Sequence, residues 1–353
     1  MINSNEHNAT LEAKAVSSAT AEATVKEPLC YPQPLDAIVL AGTHRNPKRL
    51  ISGRNKAFLD IAGRPLVRHV VDALLEAQNI DQVFVVGPVK QLGPALGGTP
   101  SRVHMVKQQG KMLTNTWAAI YASEARHAGR AEEQVHKRPL LIISCDLPLV
   151  SGDAVDDFIA RCAAQDKEPG EPVSMLVGVV EEQGVTPFYP DRQNDGIMRP
   201  YVELAFGRVR LANIYVARPR HLSHQEFLQT GFTFRKAVDW RNVVKLAFNV
   251  LRQPGGWGAA WMTLRMQLAL MLSRGKGRLY RKLRAGNTKE RVEKAVGDVL
   301  GGSIRIVTTP FGGLSLDVDD EQDYQVLKDR YDDWIALHEA TPSLLRNQDG
   351  KHR

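Results

Sequence analysis

Two short apolar runs constrain what this chain can fold into. LDAIVLAG (35–42) and DQVFVVG (81–87) are near-continuous stretches of Val, Ile, Leu, Ala and Phe that end in glycine. Strands of that composition are buried on both faces, as in a parallel sheet. Between them lies KAFLDIAGRPLVRHVVDALLEA (56–77), in which Gly63 and Pro65 mark a turn and a helix start. Leu66, Val70, Ala73, Leu74 and Ala77 fall at helical spacing behind it. Together these segments predict a βαβ unit, whose crossover is right-handed by the general rule.

The alternation continues along the chain. A short strand is expected near 103–106, a helix over 115–125, and a strand in PLLIISCDLPLV (139–150), followed by a helix capped near Ser151. Further strands are expected at 173–180 and 209–216. SIRIVTT and LSLDVDD predict two late strands, and EQDYQVLKDRYDDWIALHE a closing helix. Strands separated by helices imply an α/β fold with an open, mostly parallel sheet of Rossmann-like type. Such sheets bind ligands at the carboxyl ends of their strands, where Gly42 and Asp146 fall.

The organisation expected from this pass is a disordered leader over 1–34, a core over 35–231 and a basic helical insert over 232–300. Strands and a helix over 301–340 complete the core, and a mobile tail follows over 341–353. The first thirty residues lack the basic and apolar regions of a secretory signal, and Cys30, Cys145 and Cys162 are an odd set without metal-ligand spacing. Both point to a cytoplasmic protein with reduced thiols.

Three clusters could do chemistry. In the first, Leu40-Ala41-Gly42 precedes a basic loop and Lys56. Small residues at a strand end leave backbone N–H groups open to phosphate oxygens, and a lysine beyond them can neutralise a departing pyrophosphate. An ordinary strand-to-loop junction with a solvated basic face reads equally well. There is no GxxxxGK[ST] and no GxGxxG. In the second, Asp146 follows a buried strand, where a divalent metal could be held; a turn or helix-cap role is the alternative. In the third, Asp317 and Asp319 alternate before Asp320, Glu321 and Asp323, with the later acids suited to a helix N-terminus.

Taken together, VLAG (39–42), NKAFLDIAGRPLVRHVVDAL (55–74), CDLPLV (145–150), LANIYVARP (211–219) and LDVDDEQDYQVL (316–327) resemble, in order and spacing, the MobA-like nucleotidyltransferases of GT-A-like fold. The resemblance implies an Mg²⁺-dependent enzyme that joins a nucleoside monophosphate from an NTP to a phosphorylated acceptor and releases pyrophosphate. It implies Ala41, Gly42, Thr43, Arg49, Lys56 and Asn115 at the nucleotide and Asn213 near the acceptor. Asp146 and Asp319 would hold the metal, with Lys56 and Asp146 central to catalysis. The chain departs from the family pattern in two places: Thr43 stands where a glycine is usual with the Arg-Met-Gly triplet missing, and Asp320-Glu321 replace Thr-Pro. Two alternatives therefore stand beside the first reading. One is a non-catalytic nucleotide-binding or regulatory protein of the same fold, and the other a nucleotide-sugar glycosyltransferase.

Between Arg235 and Arg291 there are fourteen Lys or Arg against Asp239 and Glu290, so the net charge of +7 is concentrated there. Its apolar stretch from Trp257 to Leu272 is too short for a membrane span. Peripheral contact with an anionic membrane is one reading. A helical pair packed over the active site with solvated cations is the other. Slight aromatic interleaving and the lack of a recognition motif argue against nucleic acid.

Overall fold

The computed structural model describes residues 31–43, 50–98, 100–167, 171–226, 256–273, 275 and 277–349. The expected leader to residue 30, Arg49 and the segment 227–255 lie outside the described residues. At the chain's first described residue, the Tyr31 hydroxyl donates to Asp166 Oδ2 at 2.9 Å.

The βαβ unit is formed by β1 (Leu35–Leu40), α1 (Leu66–Glu76) and β4 (Ile80–Gly87), with a two-stranded hairpin of β2 (Asp60–Ile61) and β3 (Arg64–Pro65) ahead of the helix. Then follow α2 (Val89–Ala95), β5 (Val103–Lys107), α3 (Met112–Ala125), α4 (Glu132–His136), β6 (Leu140–Ser144), α5 (Gly152–Asp166), β7 (Met175–Glu181) and α6 (Glu182–Val185). β8 (Val202–Glu203) and β9 (Arg208–Ala217) form a second hairpin. After them come α7 (Gly256–Leu272), α8 (Arg278–Ala285), α9 (Lys289–Leu300), β10 (Ile304–Thr309) and α10 (Glu321–Asp349).

The main sheet runs β10-β7-β9-β6-β1-β4-β5, with β8 beside β9. All neighbours are parallel except β9, which lies antiparallel between β6 and β7 and pairs Ile143 with Ile214 and Val177 with Tyr215. The sheet is thus mixed and mostly parallel. Alternate residues of each strand serve opposite layers. Ala37, Val39, Leu141, Ile143, Ala212 and Ile214 pack against the layer that holds α1, α5 and α10. Ile38, Phe84 and Leu140 meet α3, while Val179, Val209 and Ile306 meet α7 and α9. The Ser151 cap forms as expected, its side chain accepting from the Ala154 N–H at 3.3 Å.

One expected strand is absent. LSLDVDD (314–320) begins inside a 3-10 turn over Gly312–Ser315 and joins no ladder. Leu316 and Val318 are fully buried, but Asp317 between them is only 8% exposed, so the apolar-polar alternation does not mark a strand with one wet face. The segment crosses the carboxyl end of β6 instead, held there by the Val318 N–H donating to the Asp146 carbonyl at 3.2 Å.

Candidate active site

Two strand ends, the middle of β9 and one crossing segment meet at this edge. β1 delivers Ala41, Gly42 and Thr43, β6 delivers Ser144 and Asp146, and the segment after β10 delivers Asp317 and Asp319. Asn213 lies on β9 one residue beyond the Ile143–Ile214 pair, opposite Ser144 in the register. Lys56 starts a short 3-10 helix just ahead of the β2–β3 hairpin.

Lys56 joins these elements. Its ammonium donates to Asp146 Oδ2 at 3.1 Å and to Asp319 Oδ1 at 2.9 Å, with the three side chains 20%, 9% and 32% exposed. Burial alone would push the lysine down, but the Asp146 and Asp319 carboxylates overcome it and hold the ammonium well above the ordinary lysine value. Ser144 Oγ donates to Asp146 Oδ1 and fixes the carboxylate's orientation. Asp317 is pushed up to about 6, first by burial and then by the Asp146 and Asp319 charges.

Two arginines that carry no sequence motif complete the cluster. Arg199, on the loop before β8, pairs with Asp323 and approaches Asp319 Oδ2 to 3.5 Å, and also donates to the Asp317 carbonyl at 3.2 Å. Arg210, buried on β9, donates to the Ser315 carbonyl at 2.7 Å, and burial pulls it down to about 10 against the opposing pull of Asp317. Nothing in their local sequence distinguishes them from surface arginines; only the topology brings them beneath the crossing segment.

The residues expected to face the nucleotide are more constrained than their spacing implies. The Ala41 N–H is committed to the Val86 carbonyl at 3.0 Å, and the Thr43 N–H to Gln108 Oε1 at 2.9 Å. Gly42 is therefore the remaining candidate donor of the three. Asn115 is buried beside it. Its Oδ1 accepts from the Gln109 and Gly110 N–H groups at 2.5 and 3.1 Å, clamping that turn against the end of β1. A Cβ on Gly42 would lie 2.8 Å from Asn115 Nδ2, so glycine is required for this approach. Gln108 is a site-edge residue that sequence reasoning missed. Of the terminal acids, Asp320 caps α10 by accepting from the Asp323 N–H at 2.9 Å, as its position implies. Glu321 instead receives the Ser52 N–H and hydroxyl at 2.8 and 2.5 Å and ties the end of the basic loop to that helix.

Asp146 and Asp319 are the residues that could hold a divalent cation. A lysine ammonium already sits as the cation between Asp146 and Asp319, a third carboxylate crowds the same spot, and Mg²⁺ typically takes one or two carboxylates together with phosphate oxygens. Among the described residues no three His, Cys, Asp or Glu are grouped so as to hold a metal by themselves. Cys145 offers no nucleophile at neutral pH, because burial and then the Asp146 charge push its thiol far up.

The chain is thus an α/β protein with a mixed, mostly parallel open sheet, and the lysine-bridged carboxylate pair lies at its strand ends beside a glycine-ended strand. Over residues 37–189 the chain matches the family model described as the MobA-like NTP transferase domain. The match takes in Gly42, Lys56, Asn115 and Asp146 and stops short of Asn213 and Asp319.

Among curated proteins, a "Bifunctional protein GlmU" of Sorangium cellulosum is 28% identical over 156 residues, 43% of this chain and 30% of that one. A "3-deoxy-manno-octulosonate cytidylyltransferase" of Geobacter sulfurreducens is 28% identical over 119 residues, 33% of this chain and 43% of its own. The chain thus spans less than half the length of either relative. Among solved structures, a hypothetical transferase from Thermus thermophilus superposes with a TM-score of 0.55 at 23% identity, over 83% of this chain and all of that one, which supports the fold.

Proposed function

We propose that this protein is an Mg²⁺-dependent nucleotidyltransferase that joins the nucleoside monophosphate of an NTP to a phosphate group on a small molecule or polar lipid head group. The observation that carries the reading is the convergence of Lys56, Asp146 and Asp319, each within hydrogen-bond reach of another, at the strand ends beside Gly42. The name of one relative, a cytidylyltransferase, points the same way.

In this reaction an oxygen of the acceptor phosphate attacks the α-phosphorus, a new P–O bond forms there, and the bond to the β-phosphate breaks to release pyrophosphate. The acceptor phosphate is already largely ionised at neutral pH, so no side chain has to remove a proton. The chain's task is positioning and charge neutralisation. Gly42 admits the triphosphate close to the backbone, while Asn115 and Gln108 hold the adjoining turn. Lys56 donates to phosphate oxygens as negative charge moves onto the leaving group, and Asn213 orients the acceptor. Asp146 and Asp319 would hold Mg²⁺, which supplies charge neutralisation of the triphosphate.

The test is pyrophosphate release in the presence of Mg²⁺ with each of the four NTPs and a panel of phosphorylated acceptors. Release by the parent protein that Asp146→Ala abolishes, with an unchanged thermal transition, is the expected result. NTP-induced thermal stabilisation without release on any acceptor would favour instead a nucleotide-binding protein without turnover, the reading that Thr43 and its engaged N–H motivate. If no NTP shifts the transition, the nucleotide site itself is wrong.

A further inference from the structure

α7 is apolar on both sides, and among the described residues only one side is packed against the core. Met262 and Met266 pack toward Val179, Leu204, Val209 and Ile306, and Ala269 is fully buried. The opposite side carries Trp257, Trp261, Leu264, Leu268 and Met271, which are 75%, 63%, 50%, 37% and 75% exposed. At 100° per residue these five fall within one arc of the helix, where a surface helix ordinarily places charged or polar side chains. A contiguous apolar stripe of this kind marks an interaction surface.

Charge narrows the partner. From Gly256 to Ala285 the chain has seven Lys or Arg and no Asp or Glu. Two of the cations turn inward, with Arg265 Nε donating to the Leu283 carbonyl at 3.0 Å and Arg284 Nε to the Leu204 carbonyl at 2.8 Å. On α8 the side chains of Arg278, Arg281 and Lys282 stay exposed, beside Leu279 at 59%. The stripe is a ridge about 20 Å long rather than a groove, with tryptophans at one end and cations at the other. A second copy would set one acid-free surface against another. A fluid anionic interface accepts a ridge and neutralises the cations as well. No helix among the described residues is long and apolar enough to cross a membrane.

We infer that α7 and α8 form a peripheral docking surface for anionic lipid, with the α7 ridge inserted at the level of the head groups and Arg278, Arg281 and Lys282 against lipid phosphates. The contact places the carboxyl end of β7 close to the lipid surface. A cavity of about 850 Å³ there, lined by Glu182 and Arg208 on the sheet side and by Ser273, Tyr280 and Arg284 on the insert, separates the two.

Flotation of the full chain, without nucleotide, on vesicles of phosphatidylcholine alone or mixed with phosphatidylglycerol tests this independently of any transfer activity. The expected result is flotation with the mixed vesicles only, reversed by salt. Arg278→Glu and Arg281→Glu should weaken it about fivefold per cation removed. Trp257→Ser with Trp261→Ser should abolish it while the thermal transition stays in place. Quenching of the parent protein's tryptophan fluorescence by brominated lipid gives the same answer without a variant. Absence of flotation and quenching with mixed vesicles overturns the inference, as does equal flotation on both compositions. A concentration-dependent dimer that the tryptophan variant dissociates, in a protein that ignores vesicles, overturns it in favour of a second copy.

Discussion

Lys56 and Asp319 are 263 positions apart in sequence and 2.9 Å apart in space, and that contact holds the candidate site together. The ammonium is balanced by two carboxylates. In the proposed reaction the same ammonium would turn to phosphate oxygens. Lys56→Ala should therefore lower the rate constant of pyrophosphate release by about 10²–10³-fold, the usual cost of removing one preorganised charge donor. It should have a smaller effect on the apparent affinity for NTP, and steady-state kinetics separates the two. A loss confined to KM would mean that the lysine only binds. Gly42, Lys56, Asp146 and Asp319 are legible because each follows or opens a recognisable element, and Asn115 enters only through the family resemblance. The sequence could not point to Arg199 or Arg210. One lies on an irregular loop and the other inside an apolar strand, and they reach Asp317, Asp319 and Asp323 only through tertiary folding.

At the scale of elements, the sequence pattern was a good guide wherever burial had a single cause. β1 and β4 are covered on both faces and read as unbroken apolar runs, and α1 shows one apolar stripe for one buried side. LSLDVDD misled because its alternation has two causes. Leu316 and Val318 fill the core, while Asp317 is buried among charges. The β2–β3 hairpin carries a small strain that the sequence conceals. Its two turn residues, Ala62 and Gly63, have φ of 51° and 74°. Left-handed backbone costs an alanine roughly 1–2 kcal/mol, whereas replacing alanine by glycine frees the unfolded chain by about 0.4–1 kcal/mol. The first effect wins at this exposed position. Ala62→Gly should stabilise the protein by about 0.5–1 kcal/mol in denaturant unfolding, and a lower midpoint would show that the turn tolerates alanine without strain.

For the whole molecule, the last described helix is part of the core. Trp334 on α10 is fully buried against the Phe188 ring, and His338 one turn on lies against Phe311 with centroids 5.1 Å apart. Neither nitrogen of His338 has a hydrogen-bond partner among the described residues, and burial pulls the imidazole down to about 4. The unfolded chain takes up this proton near pH 6.5 and the folded one only near 4. Stability is therefore fully present above about pH 6.5 and lost progressively as the pH falls toward 4, by about 3 kcal/mol from this group. His338→Leu should flatten that part of the stability profile relative to the parent protein. Identical acid slopes in the two proteins would show that the ring is hydrated or partnered in solution.

The position of β9 governs the order in which the molecule can be assembled during synthesis. β1, β4, β5 and β6 leave the ribosome first, and the growing half-sheet then presents the bare edge of β6. β7 cannot close that edge, because its place lies one strand further out, with β9 between them. The stretch that matches the family model thus emerges as an unfinished sheet with an open edge, the kind of surface that recruits chaperones or pairs with a neighbouring chain. Asp319 and Trp334 arrive later still, so the end of β1, Lys56 and Asp146 are synthesised long before the carboxylate that completes their cluster.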